Sequence, residues 1–132
     1  LASRITNVSG SSNYFLEGFI TYGNPAKTAR LDVPAGLIME RGAVSPEVAR
    51  AMAAGVRIKS GADCGLAVTG IAGPNGGTAE KPVGLVYTAL AWNGGEDIRR
   101  NLFLGGREQV KFQATQKALD MLRRHLIGAG MK

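Results

Sequence analysis

Apolar residues recur along this chain with two different periods, one helical and one extended. From Ser45 to about Lys59 the positions Val48, Met52, Gly55 and Val56 trace one face of a helix. Ser45 offers a capping oxygen, Pro46 suits the first helical position, and Glu47 faces the positive helix end. Arg57 and Lys59 suit the negative end, and Gly61 can close it. A second helix is predicted over 107–127, with Val110, Ala114, Ala118, Met121, Leu122 and Leu126 on one face. At about 1.5 Å per residue it would run for roughly 30 Å, enough to cover one side of a small sheet.

Leu66 to Ala72 and Val83 to Trp92 are nearly continuous apolar runs, which predicts strands covered on two faces at the centre of a sheet. Asn93-Gly94-Gly95 predicts a tight turn into a hairpin strand over 97–104, nearer the sheet edge. There Ile98, Arg100, Leu102 and Leu104 share one side, and Arg99, Asn101 and Phe103 the other. Residues 73–82 are too polar and too rich in Gly and Pro for anything but a loop.

The first third is broken into shorter pieces. Leu1, Ile5 and Val8 share a helical face with no cap before it, which suggests that the chain enters in the middle of an element. Gly10-Ser11-Ser12 interrupts it and can cap a short turn through Leu16. Gly18 to Tyr22 is a run of β-formers stopped by Gly23-Asn24-Pro25, predicting a strand with a loop at its C-terminal end. Residues 26–31 can make one or two helical turns, and Pro34 starts a short helix ending at Gly42.

A chain of 132 residues matches one compact domain, and the 19 glycines, about twice average usage, fit a loop-rich α/β protein. The net charge of +6 favours anionic partners. The cations are scattered apart from Arg99-Arg100 and Arg123-Arg124, and the aromatic residues form no stacking ladder, which argues against a nucleic-acid groove. No apolar run approaches the roughly 20 residues that span a bilayer. Cytoplasm is the default location, since no signal peptide is visible. The one cysteine, Cys64, rules out an internal disulfide and reads as a buried thiol. The one histidine, His125, reads as a cation at a helix C-terminus; no Ser-His-Asp triad, metal site or cofactor site is expected.

Three places carry candidate chemistry. Gly70-Ile71-Ala72-Gly73, leading into Pro74-Asn75-Gly76-Gly77, could bring backbone N–H groups together on an anion, or it could be a structural turn. It lacks the spacing of both common nucleotide fingerprints, and a strand follows it. Tyr22, Asn24 and Lys27 lie where open α/β sheets place ligand sites, although a surface lysine is usually only a solvated charge. Arg107 opens a helix directly after two glycines, a good position for an anion that is equally suited to an ordinary surface arginine.

Val68 to Tyr87 (VTGIAGPNGGTAEKPVGLVY) resembles the central signature of the CinA C-terminal domain family, and Ser11 to Lys27 (SSNYFLEGFITYGNPAK) resembles its preceding motif. Gly42-Ala43-Val44-Ser45 and Gly105-Gly106-Arg107-Glu108 are similar to two further landmarks in the right order. The resemblance covers essentially the whole chain. It implies a homodimer and, as activity, cofactor-independent and metal-free deamidation of nicotinamide mononucleotide to nicotinate mononucleotide and ammonia. The expected fold is α/β, a three-layer sandwich with a mixed, largely parallel sheet flanked by helices, forming one domain over residues 1–132.

In the family a serine in an ESCTGG-like segment attacks the carboxamide, and the lysine matching Lys27 is its base. That role requires a lysine pKa well below the usual 10.4 or so, through burial or a nearby cation. The resemblance implies that Tyr22 orients this pair or the substrate. It further implies that Thr69 and the amides of Gly70 to Gly73 face the nucleotide, and that Arg107 holds a charged part of it. Gly23 stands where a serine is common, and Gly106 where an aspartate is common. Leu1 aligns just after the ESCTGG-like segment, so the nucleophile and the first strand are expected to lie outside this chain. The 132 residues alone are expected not to hydrolyse the nucleotide. The competing reading is a non-catalytic nucleotide- or partner-binding module connected with competence and the response to DNA damage.

Overall fold

A computed structural model describes residues 1–129. Among these residues five helices and three strands follow one another as α1 (Ala2–Thr6), α2 (Asn24–Leu31), α3 (Ala35–Arg41), α4 (Pro46–Ser60), β1 (Cys64–Gly70), β2 (Leu85–Trp92), β3 (Gly95–Leu102) and α5 (Arg107–Gly128). A single 3₁₀ turn, Ser11–Asn13, stands between α1 and α2.

The helix signals act as their chemistry predicts. Ser45 Oγ accepts the Val48 N–H at 3.2 Å and also donates to Gly42 O at 2.9 Å, so one hydroxyl starts α4 and fixes the approach to it. Gly61 ends α4 in the left-handed region at φ 72°. Ser45→Ala removes both bonds and is expected to lower stability by about 1–2 kcal/mol in urea denaturation.

The sheet is antiparallel throughout, in the order β1-β2-β3. The largely parallel sheet expected from the sequence is therefore corrected. Parallel neighbours need a crossover, usually a helix, to return the chain to the starting end. The segment between β1 and β2 contains no helix and folds back at its root, where Ile71 N donates to Leu85 O and Gly84 N to Ile71 O. The Asn93-Gly94 turn joins β2 to β3 in the same manner, with Gly94 at φ 97°. Only β2 is central; β1, also expected at the centre, forms one edge of this sheet and β3 the other.

Helices lie on both faces of the sheet. Val48, Ala49, Met52 and Ala53 of α4 pack with Ala67, Ala89 and Ala91, while Leu31, Val33 and Ile38 extend the same cluster. Val110 and Ala114 of α5 pack with Val86, Val68, Ala72 and Phe103. On that side the fully buried Thr88 donates to Met121 Sδ, and Asn101 donates to Val86 O.

One predicted strand is absent. Gly18 to Tyr22 keeps a two-residue alternation, with Thr21 buried, Phe19 half-buried, and Ile20 and Tyr22 exposed at 94% and 85%. It pairs with none of the three strands, however. A strand exists through its ladder bonds, and the side-chain period alone does not supply them. The other expectation that gains something new is His125: beyond its place in the last turn of α5, its ring lies against Trp92 at 4.2 Å between centroids.

Candidate functional site

The first part of the site is a buried amine. Gly23 caps α2, Pro25 sits in its first turn, and Lys27 follows on the inner side of the helix, 6% exposed. Its Nζ donates to Thr21 O at 2.8 Å and to Tyr22 O at 3.3 Å. Both acceptors are neutral, and burial holds the amine below the usual lysine range. A neutral amine has two N–H donors, and two carbonyls are present to take them. In that neutral form the lone pair is left for a proton.

Tyr22 joins this amine to the second part. While its carbonyl receives Lys27, its phenol oxygen accepts from Arg107 Nη2 at 3.4 Å. Arg107 Nη1 donates to Gly73 O at 2.9 Å. Lys27, Tyr22, Arg107 and Gly73 thus form one connected chain of hydrogen bonds, although they come from three separated stretches of sequence. Arg107 is the first residue of α5, so the guanidinium stands at the positive end of a 22-residue helix. Asn24 is exposed at the first position of α2, at the same end as Tyr22.

The glycine-rich stretch is held by tight contacts. A Cβ on Gly70 would meet Val86 Cγ2 at 2.6 Å, and one on Gly73 would meet Val83 Cγ1 at 2.4 Å, with Gly73 also at φ 84°. The Ile71 amide is engaged with Leu85 O, and the Ala72 side chain packs beneath α5. Thr69 is buried at the end of β1, and its hydroxyl donates to Ala43 O at 2.9 Å. These bonds give Thr69 and Ile71 structural parts, and the Ile71 amide, expected to face the nucleotide, is already spent on Leu85 O.

One contact was not legible in the sequence. Lys81 Nζ donates to Arg41 O, and Gly42 leaves room for it, since a Cβ there would lie 2.7 Å from that nitrogen. No group of three or more His, Cys, Asp or Glu side chains fit to hold a metal occurs among the described residues. No helix among the described residues is long and apolar enough to cross a membrane. Burial and the neighbouring Asp63 push the Cys64 thiol up, away from thiolate chemistry.

The fold and site define an α/β domain with a buried lysine held by two backbone carbonyls beside a glycine-rich loop. The family model described as the CinA C-terminal domain matches residues 1–126, and the chain belongs to this family. It is 58% identical over 127 residues to a CinA-like protein of Geotalea uraniireducens, covering 96% of this chain and 30% of that protein. Over 129 residues it is 60% identical to a CinA-like protein of Geotalea daltonii, covering 96% and 31%. The chain thus spans about 30% of the length of these curated relatives.

Among solved structures it is similar to the competence/damage inducible protein CihA from Agrobacterium tumefaciens. The TM-score is 0.92 and the identity 41%, over 93% of this chain and 76% of that one. A CinA superfamily protein from Escherichia coli gives a TM-score of 0.90 at 32% identity, over 95% and 73%.

Proposed function

We propose that this domain forms part of an amidohydrolase that converts nicotinamide mononucleotide to nicotinate mononucleotide and ammonia. The observation that carries the reading is Lys27, a buried amine whose only hydrogen-bond partners among the described residues are two carbonyls, linked through Tyr22 to Arg107. A structural lysine is ordinarily solvated or paired with a carboxylate. One held only by neutral carbonyls, its pKa lowered by burial, is suited in its neutral form to take a proton from a hydroxyl.

In this reading a serine supplied by the full-length protein attacks the carboxamide carbon while Lys27 takes the hydroxyl proton. Lys27 returns that proton to the departing nitrogen, and ammonia leaves. Water then hydrolyses the acyl-serine ester, releasing the carboxylate product and restoring the hydroxyl. Arg107, at the start of α5, would hold the anionic part of the nucleotide in this reading. The homodimer suggested by the family resemblance belongs to the same proposal, and sedimentation of the full-length protein reads it.

The test is ammonia release by the full-length protein incubated with nicotinamide mononucleotide and a chelator. One ammonia per nucleotide consumed is the expected result. Calorimetric binding of the nucleotide without ammonia release would instead support a non-catalytic nucleotide-binding module, and tighter binding to DNA than to the nucleotide would defeat the small-molecule reading altogether.

A further inference from the structure

Three consecutive carbonyls leave the C-terminal end of α3, and each is taken by a side chain from a different part of the molecule. Gly42 O accepts from Ser45 Oγ, the cap of the next helix, and Ala43 O accepts from Thr69 at the end of β1. Arg41 O accepts from Lys81, 40 residues further on in the loop between β1 and β2. The last carbonyls of a surface helix are readily satisfied by water, so local structure does not require that lysine.

Lys81 nevertheless passes close over a glycine and is set by a turn of its own. Gly42 is at φ 81°, and a Cβ there would stand 2.7 Å from Lys81 Nζ. On its own side, Lys81 is set by a turn in which Thr78 N donates to Lys81 O at 2.8 Å and Lys81 N donates to Thr78 Oγ1 at 3.0 Å. The other end of the loop is held at Gly73 O by Arg107 and at its root by the Ile71–Leu85 and Gly84–Ile71 bonds. Between these anchors, residues Pro74 to Glu80 are all exposed. Among the described residues, Lys81 is the one hydrogen-bonded anchor that ties this stretch to α3.

We propose that Lys81 is a positioning residue: its bond to Arg41 O latches the exposed part of the glycine-rich loop in the shape that receives the nucleotide. The proposal rests on reading Lys27, Tyr22, Arg107 and the glycine-rich loop as a nucleotide site. Without the latch, binding must also order the loop, a burden that falls on substrate affinity. The proton transfer at Lys27 involves none of these bonds, so turnover at saturation is spared.

The experiment uses the full-length protein with Lys81→Met and Lys81→Arg. Lys81→Met is expected to raise KM for nicotinamide mononucleotide roughly tenfold while kcat stays within about twofold. Arginine can still reach a carbonyl, and Lys81→Arg is expected to recover most of the affinity. Faster amide exchange confined to residues 75–81 in Lys81→Met would support the latch independently of turnover.

An unchanged KM together with unchanged loop exchange overturns the proposal. So does a fall in kcat and thermal stability together, because that pattern marks a general structural role. If the wild-type protein releases no ammonia, the amidohydrolase reading fails by itself. Calorimetric affinity for the nucleotide and loop exchange then decide the latch: weaker binding and faster exchange in Lys81→Met uphold it, and wild-type values in both defeat it.

Discussion

Lys27→Met in the full-length protein is expected to lower kcat for ammonia release by roughly two to four orders of magnitude, the range for removing a general base. Methionine keeps the length and apolar body of the side chain but has no lone pair able to take the serine proton. The variant should still fold, because the amine is held only by the carbonyls of Thr21 and Tyr22 and no buried countercharge is left behind. Circular dichroism and a thermal melt check that point. Retention of wild-type turnover would end the assignment of Lys27 as base.

The same residue fixes a pH dependence. Burial lowers the folded-state pKa of Lys27 below its ordinary value of 10.5. Turnover should therefore rise with pH as the amine loses its proton, with a midpoint under that value. For stability, the unfolded chain binds the extra proton in the window between the lowered pKa and 10.5, so this group makes wild-type stability rise with pH there. Lys27→Met lacks that contribution. The melting temperature of wild type relative to the variant should increase from neutral pH towards the ordinary lysine value, and the opposite slope would contradict the burial of the amine.

Gly65→Ala is expected to be the most damaging small substitution in the sheet. A Cβ at this position of β1 would lie 2.2 Å from Ala53 O and 2.8 Å from Arg57 N, both backbone atoms of α4. Neither can swing aside as a flexible side chain could, so strand and helix must separate. That separation opens the cluster formed by Ala49, Met52, Ala53, Ala67 and Ala89. A loss of about 3 kcal/mol is expected, the upper end for overpacking, which corresponds to a melting temperature lower by roughly 10 °C. Gly36→Ala is the control: it lies in α3 with no atom within 4 Å of the added carbon, and it should gain about 0.5 kcal/mol. Equal and small effects at both glycines would mean that β1 and α4 are less closely apposed than described.

The elements with local signals were readable from the chain. Ser45, Pro46, Glu47 and Gly61 delimit α4 through bonds made within one or two turns, so their effect depends little on the rest of the molecule. The period of Val110, Ala114, Ala118 and Met121 names the buried face of α5 for the same reason. Gly18 to Tyr22 shows the limit of such reasoning. Its alternation of buried and exposed side chains is present, yet no strand pairs with it, because pairing depends on a neighbour that the segment itself does not specify.

The family motifs brought Lys27, Tyr22 and Arg107 forward as candidates, but spacing along the chain could not show that they touch. The bond from Arg107 to Tyr22 joins residues 85 positions apart, and that from Lys81 to Arg41 joins residues 40 apart. A lysine in a loop carries the same local signal whether it is solvated or latched onto a helix end. Only the glycine at position 42 hinted that something approaches closely there, and glycine has several other uses.

What the sequence by itself determined is the kind of elements, most of their limits and the residues from which a site could be made, since these follow from side-chain period, capping and turn chemistry over a few residues. The tertiary structure decided the antiparallel order of the strands, the burial that keeps Lys27 free of a countercharge, and the chain of bonds from Lys27 to Gly73. Each of these depends on distant segments meeting in space, where loop closure and the packing of α4 and α5 on opposite faces of the sheet select one arrangement.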